Sequence, residues 1–257
     1  MADEILCSIK DGIATVTMNR PEKRNALNTA LLDGLTNIFQ RLESNPEVRA
    51  VVIRGEGKAF CSGLDLRELS SRQSGGGDPE SGVTSIFQQI ERSRHPTIAM
   101  VQGDALAGGC ELALHCDLRV ASDAARFGMP LARLGLVVPF PLGQKLVEII
   151  GPAFTKQILF TGQPIDAKRA YEIGMIHQLV SASELESATS TLARTIADNA
   201  PLSLAGMKAT ILRSISLRET INYQDLSDIV NRARKSADAQ EGVKAMLEKR
   251  KPAFRGE

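Results

Sequence analysis

The chain has 257 residues, with 31 Lys plus Arg against 30 Asp plus Glu and a net charge of +1. At roughly 150 residues per domain, the length allows one or two domains with a sizeable core. The charge balance argues against nucleic acid or an anionic membrane as the main partner, and the aromatic content (no Trp, two Tyr, eight Phe) argues against a stacking platform for single-stranded bases.

Two alternating runs open the chain, Glu4 to Ile9 and Ile13 to Met18, and the Lys10-Asp11-Gly12 turn between them predicts a β-hairpin. Asn28 is placed as a helix N-cap. Leu31, Leu32, Leu35, Ile38, Phe39 and Leu42 follow at helical spacing. Val48 to Ile53 is a short apolar run ending at Gly55, as in a buried strand. The polar stretch Ser70 to Gly82, with Gly75-Gly76-Gly77, reads as a loop, either a surface excursion or a flap beside a site. Thr97 to Val101, ending at Gly103, repeats the strand pattern, and Leu118 to Ala121 repeats it more weakly. Strands alternating with helical stretches make this part α/β. From about Leu142 the pattern turns helical. Helices are predicted over Ser181 to Ala200, Leu202 to Leu217 and Ala237 to Arg250, with Pro201 suited to a helix start. The shift near residue 200 divides the chain into 1–200 and 201–257.

No eighteen consecutive residues are apolar, so no membrane span is expected. The N-terminal MADEILCSIKDG is acidic where a signal peptide needs positive charge, which predicts a cytoplasmic protein. Cys7, Cys61, Cys110 and Cys116 form no CxxC pair and read as free thiols. With only three histidines, no metal centre is expected.

Two glycine-containing turns each follow a strand and lead into a helix. They are Gly57 to Leu66 (GKAFCSGLDL) and Gly103 to Glu111 (GDALAGGCE). Neither is a dinucleotide fingerprint or a phosphate-binding loop. Each glycine alone suits a tight turn or close packing. Helix N-termini present unpaired N–H groups, and two such turns facing each other would supply two donors to one oxygen. That is an oxyanion hole, able to hold the enolate of a thioester. Glu111 opens an apolar helix that continues Leu112-Ala113-Leu114-His115-Cys116. It serves either as a first-turn acid favoured by the helix dipole or as a desolvated proton-transfer group. His115, four residues on, is read as a core histidine in preference to a metal ligand.

Several segments together resemble the crotonase superfamily, the enoyl-CoA hydratase/isomerase group. They are Met18-Asn19-Arg20-Pro21 with Asn25-Ala26-Leu27-Asn28, Ala59 through Leu66, Ala107 through Leu114, Phe127-Gly128-Met129-Pro130, and the tail Glu241-Gly242 through Leu247-Glu248-Lys249-Arg250. Their order and spacing carry the resemblance across essentially the whole chain. It implies an α/β spiral of ββα units, followed by a C-terminal helical region (201–257) that builds trimers or hexamers. It implies an acyl-CoA thioester substrate, with coenzyme A entering as part of the substrate and no separate cofactor. The backbone N–H groups of Leu64 and Gly108 would form the oxyanion hole, and Glu111 would be the catalytic acid/base. Asp65, Leu66 and Arg67 would line the acyl-CoA site with Leu64. The Lys23 to Ala26 stretch would lie along the CoA, with Lys23 or Arg24 near its phosphates. Lys249 would reach the CoA of a neighbouring subunit.

One departure stands out. Hydratases of this family carry two catalytic glutamates. Glu111 matches the first, whereas Leu131 stands where the second would follow Pro130. Val137, Val138, Pro139 and Phe140 suggest an apolar wall nearby. Some family members that decarboxylate malonyl-type CoA thioesters also have an apolar residue at this position. The sequence therefore leaves open a hydratase or isomerase with one glutamate, a malonyl-type decarboxylase such as one acting on methylmalonyl-CoA, and a non-catalytic acyl-CoA-binding protein.

Overall fold

The computed structural model describes residues 4–68, 81–215 and 224–256. Strand β1 (Ile5–Lys10) pairs antiparallel with β2 (Ile13–Met18), and the turn between them takes positive φ at Asp11 and Gly12. The chain then makes a 3₁₀ turn over Pro21–Lys23 and enters helix α1 (Thr29–Glu43). Asn28 caps α1 by accepting from the Leu31 N–H, and the six apolar residues predicted from spacing are those it buries.

Three successive units follow one plan. Each lays a strand in a large sheet, turns, and lays a second strand in a small one. The pairs are β3 (Ala50–Gly55) with β4 (Ala59–Cys61), β5 (Thr97–Val101) with β6 (Asp104–Leu106), and β7 (Leu118–Ser122) with β8 (Arg126–Gly128). The large sheet has the order β1-β2-β3-β5-β7-β10, with β10 at Gln178–Val180, and is parallel after the first hairpin. The small sheet has the order β4-β6-β8-β9, where β9 (Ile165–Asp166) closes it antiparallel. This stepwise repetition is the predicted spiral of ββα units.

Helices cover both faces of the large sheet. Helices α1, α2 (Ser81–Arg92) and α3 (Gly108–His115) bury the main core, which includes Phe39, Phe60, Phe87 and Phe127. Helix α6 (Leu185–Ala197) packs Leu185 and Ala193 on Val52, Ile98, Met100 and Val120 of the other face. Between them lie α4 (Phe140–Thr161), bent at Gly151-Pro152, and α5 (Ala167–Glu172). The last helices are α7 (Pro201–Ile215), α8 (Gln224–Lys235) and α9 (Ala237–Leu247).

The region after residue 200 docks on the spiral. Lys208 of α7 is buried, donates to the His95 carbonyl at 3.2 Å and pairs with Asp117 at 2.7 Å. Helix α9 lies on the 3₁₀ turn Pro130–Leu134. A Cβ at Gly242 would come within 2.5 Å of the Leu134 carbonyl, so glycine is required there. The predicted helix through Arg250 stops at Leu247, and Lys249 takes a positive φ of 55°. The Ser70 to Gly82 loop lies largely outside the described residues. Gly82 itself belongs to α2, a correction to that reading.

A buried polar knot ties the hairpin exit to the β3–β4 turn. Asn25 is fully buried at positive φ. Its Oδ1 accepts from the Arg20 N–H at 2.9 Å, and its Nδ2 donates to the Glu56 and Ala59 carbonyls at 2.9 and 2.8 Å. Asn25→Ala leaves those groups unsatisfied in the interior. It is expected to cost on the order of 3 kcal/mol, read as a lowered urea midpoint at unchanged slope.

Candidate active site

The two glycine turns meet where β4 and β6 end. Leu27 runs beside the first of them, its N–H donating to the Gly63 carbonyl at 2.8 Å and its carbonyl accepting from the Asp65 N–H at 2.9 Å. Those bonds fix the backbone on either side of Leu64, so the Leu64 N–H faces away from Leu27. Gly63 has φ +95°, and a Cβ there would sit 2.8 Å from the Ala107 Cβ and 3.2 Å from the Gly108 nitrogen. Only glycine allows the turns to approach so closely.

On the other side, Ala107 precedes α3 with φ 48° and ψ −123°, a conformation rare outside glycine. This backbone aims the first N–H of α3, that of Gly108, at the same space. Among the described residues no acceptor takes the N–H of Leu64 or Gly108.

Both turns open into a cavity of about 460 Å³. It brings together Lys23, Arg24, Ala26, Leu64, Asp65, Leu66, Arg67, Gly108, Glu111 and Leu131 from the sequence-derived set. Two members fall outside. Phe140 begins α4 and does not line the cavity, and Lys249 lies exposed beyond α9. The apolar wall is also composed differently from the expectation. Leu134, Leu136, Pro139 and Leu142 form it, whereas Val137 is exposed and Val138 packs into the core. Residues 135–139 connect two helical segments, so no strand or helix period reveals which side chains turn inward.

Met246 and Leu247, at the end of α9, also line the cavity. Their apolar pairing at a helix end was the one signal available. Sequence reasoning missed the job of Arg20, which is almost fully buried. It donates to the Ala26 carbonyl at 2.5 Å, pairs with Asp65 at 3.3 Å and meets Glu4 at 3.3 Å. Arg20 thus holds two lining segments in place. At the mouth, Arg24 and Arg126 both pair with Asp104, at 2.5 and 2.7 Å.

Glu111 is fully buried in the first turn of α3 and lines the cavity. Neither carboxylate oxygen has a hydrogen-bond partner among the described residues. Burial pushes its pKa well above the ordinary carboxylate value, and Lys145 offsets this only in part. Lys145 is itself paired with Glu91 at 2.5 Å. The cavity's second carboxylate, Asp65, is engaged by Arg20 and by the Arg67 N–H. The site therefore offers two free N–H donors and one uncommitted carboxyl, its pKa raised by burial, in apolar surroundings. No group of three His, Cys, Asp or Glu able to hold a metal occurs among the described residues, and no helix is long and apolar enough to cross a membrane.

Comparison with known proteins agrees with this geometry. Residues 8–257 match the enoyl-CoA hydratase/isomerase family model. The chain belongs to the enoyl-CoA hydratase/isomerase family. It is 35% identical over 246 residues to a short-chain-enoyl-CoA hydratase of Clostridium acetobutylicum, covering 94% of each chain. It is 34% identical to the human mitochondrial enoyl-CoA hydratase domain-containing protein 3, over 95% of this chain and 81% of that one. Among solved structures it superposes on a methylmalonyl-CoA decarboxylase in complex with 2-nitronate-propionyl-CoA. That match has a TM-score of 0.91, 31% identity and 98% coverage of both chains. An enoyl-CoA hydratase from Mycobacterium avium subsp. paratuberculosis gives a TM-score of 0.87 at 25% identity, again over 98% of both.

The buried carboxyl sets a pH dependence of stability. The folded chain binds this proton more tightly than the unfolded chain, so Glu111 costs stability as pH rises from the unfolded to the folded pKa. Glu111→Gln is expected to melt at the wild-type temperature near pH 4 and above it at pH 8, checked by calorimetry at both values.

Proposed function

We propose that this family member forms a thioester enolate by removing carbon dioxide from a malonyl-type acyl-CoA. The observation that carries this reading is Glu111, the one uncommitted carboxyl in the cavity, in a lining that has Leu131 where a second acid would stand. Hydration needs one group to activate water and another to protonate the α-carbon. Leu131 moves no proton, and burial favours the neutral form of Glu111, the form that carries a proton to give.

Decarboxylation asks only for what is present. The substrate's thioester oxygen accepts the Leu64 and Gly108 N–H groups. The bond from the α-carbon to the carboxylate breaks, carbon dioxide leaves, and its electron pair spreads into the enolate. Glu111 gives its proton to the α-carbon, and water restores that proton after product release. The apolar lining disfavours the charged carboxylate of the ground state more than the dispersed charge of the transition state. Each N–H donor is worth about 100- to 1,000-fold in rate. Lys23, Arg24 and Arg67 suit the phosphates of CoA, Ala26, Asp65 and Leu66 its pantetheine arm, and Lys249 a neighbouring subunit's CoA. The likeness to methylmalonyl-CoA decarboxylase supports the reading. The hydratase relatives favour a second one, hydration of an enoyl-CoA by Glu111 with water.

We also propose a trimer, or a pair of trimers, assembled through α7 and α8. Leu202, Met207 and Ile211 of α7 are 80%, 62% and 61% exposed, an apolar surface suited to a protein partner.

Purified protein incubated separately with methylmalonyl-CoA and crotonyl-CoA, with products followed by mass spectrometry, decides the reaction. Loss of carbon dioxide with crotonyl-CoA untouched is expected, and water addition to crotonyl-CoA alone would replace decarboxylation with the second reading. Glu111→Gln is expected to lower turnover about 100- to 10,000-fold while CoA binding persists in calorimetric titration. Sedimentation is expected to give a trimer or hexamer for the wild type and smaller species for Ile211→Glu.

A further inference from the structure

His115 is almost fully buried, one helical turn after Glu111, and does not line the cavity. Its Nδ1 lies 2.8 Å from the backbone carbonyl of Glu111. A carbonyl only accepts, so Nδ1 carries the proton. The same nitrogen is 3.9 Å from Glu111 Oε2. The ring tilts against Phe87, with centroids 5.4 Å apart. Among the described ion pairs, that with His115 is the one that reaches the Glu111 carboxyl.

We propose that His115 is a positioning residue for Glu111, holding an N–H dipole beside the carboxyl to stabilise the carboxylate left after proton transfer. This rests on the enolate reading above. In the protonation step the Glu111 O–H bond breaks and the enolate electron pair becomes a C–H bond at the α-carbon. The carboxylate then shares the Nδ1–H with the Glu111 carbonyl until water returns a proton. With no other donor on either oxygen, a buried carboxylate would otherwise stand unsolvated at the moment it forms.

The other groups around α3 do not supply this donor. Lys145 of α4 faces Glu111 from a distance but pairs with Glu91 of α2. Asp104 of β6 is committed to Arg24 and Arg126. Cys61 of β4, Cys110 of α3 and Cys116 at the end of α3 are buried thiols held neutral by burial. Arg119 spends its guanidinium on the carbonyls of Ala113, Cys116 and Met175.

The test reads Glu111 directly. Protein carrying carbon-13 in its glutamate carboxyls is titrated by NMR, with Glu111→Gln assigning the signal. Three substitutions are compared. His115→Asn keeps an N–H at the Nδ1 position, His115→Gln moves it to the Nε2 position, and His115→Leu removes it. A donor beside the carboxyl favours the charged form, so its loss raises the pKa. Expected are a Glu111 titration shifted to higher pH in the Gln and Leu variants, near-wild-type titration in Asn, and turnover falling about tenfold or more at little changed KM for Gln and Leu. A Glu111 titration unmoved in folded Gln overturns the proposal, whether or not the Leu variant folds. A shifted titration in protein that releases no carbon dioxide from methylmalonyl-CoA upholds the role of His115 and overturns the decarboxylation reading.

Discussion

The site depends on one close approach of backbone to backbone. The turn at Gly63 and the turn at Ala107 touch with no side chain between them, because a Cβ on Gly63 would lie 2.8 Å from the Ala107 Cβ. Both flanking strands, β4 and β6, are three residues long and pair in parallel. Short strands carry little ladder energy of their own, so the register of the two turns is guarded from outside. Leu27 clamps the first through two backbone bonds. Asn25 and Arg20 tie the Leu27 segment to Glu56, β4 and Asp65. The positive φ of Ala107, worth about 1–3 kcal/mol of strain, persists because its N–H is held by the Gly128 carbonyl at 2.8 Å and its carbonyl accepts from the Glu111 N–H at 3.1 Å.

Helix α3 carries the second constraint. Its eight residues put a free N–H at one end and an unpartnered carboxyl in its first turn. At the other end, Arg119 neutralises the carbonyls of Ala113 and Cys116. Burial lowers the Arg119 pKa to about 10, still high enough to keep the guanidinium charged at neutral pH. The cation sits at the negative end of the helix dipole. A short helix is marginal by itself. Here its C-terminus is fixed by a buried cation and its flanks by Leu112 and Leu114, both fully buried.

Much of this was legible in the sequence, for identifiable reasons. Asn28 and its apolar register, the hairpin, and the strand at Thr97–Val101 follow from local patterns that tertiary structure did not override. The two glycine turns and Glu111 stood out because a carboxylate amid Leu, Ala and Cys is costly without a use. The short strands β4, β6 and β8 gave no periodic signal, and they are what brings the turns together. The inward and outward choice at Leu136, Val137, Val138 and Pro139 was illegible because an irregular segment has no period. The role of Arg20 has no local signal. Its burial depends on Asp65, forty-five residues away in the chain, and sequence proximity does not reveal that.

In the decarboxylation proposed above, leucine at position 131 would redirect the site more than disable it. A carboxylate at that position would stand in the same cavity as Glu111, and two carboxyls in apolar surroundings push their pKa values apart. One would then stay ionised and serve as a base. With leucine there, the other carboxylate of the cavity is Asp65, which Arg20 engages, and Glu111 remains the one uncommitted carboxyl. Leu131, Leu134 and Leu142 give water no side-chain anchor on that side, so an enolate formed in the cavity would be shielded from it there. On the decarboxylation proposed above, the residue that leaves no water-activating group at this position would also protect an enolate long enough for a single proton to return from a fixed direction. On that reading, two N–H donors, one acid and an apolar wall would suffice for a reaction whose leaving group is a neutral gas, because carbon dioxide needs no proton to depart.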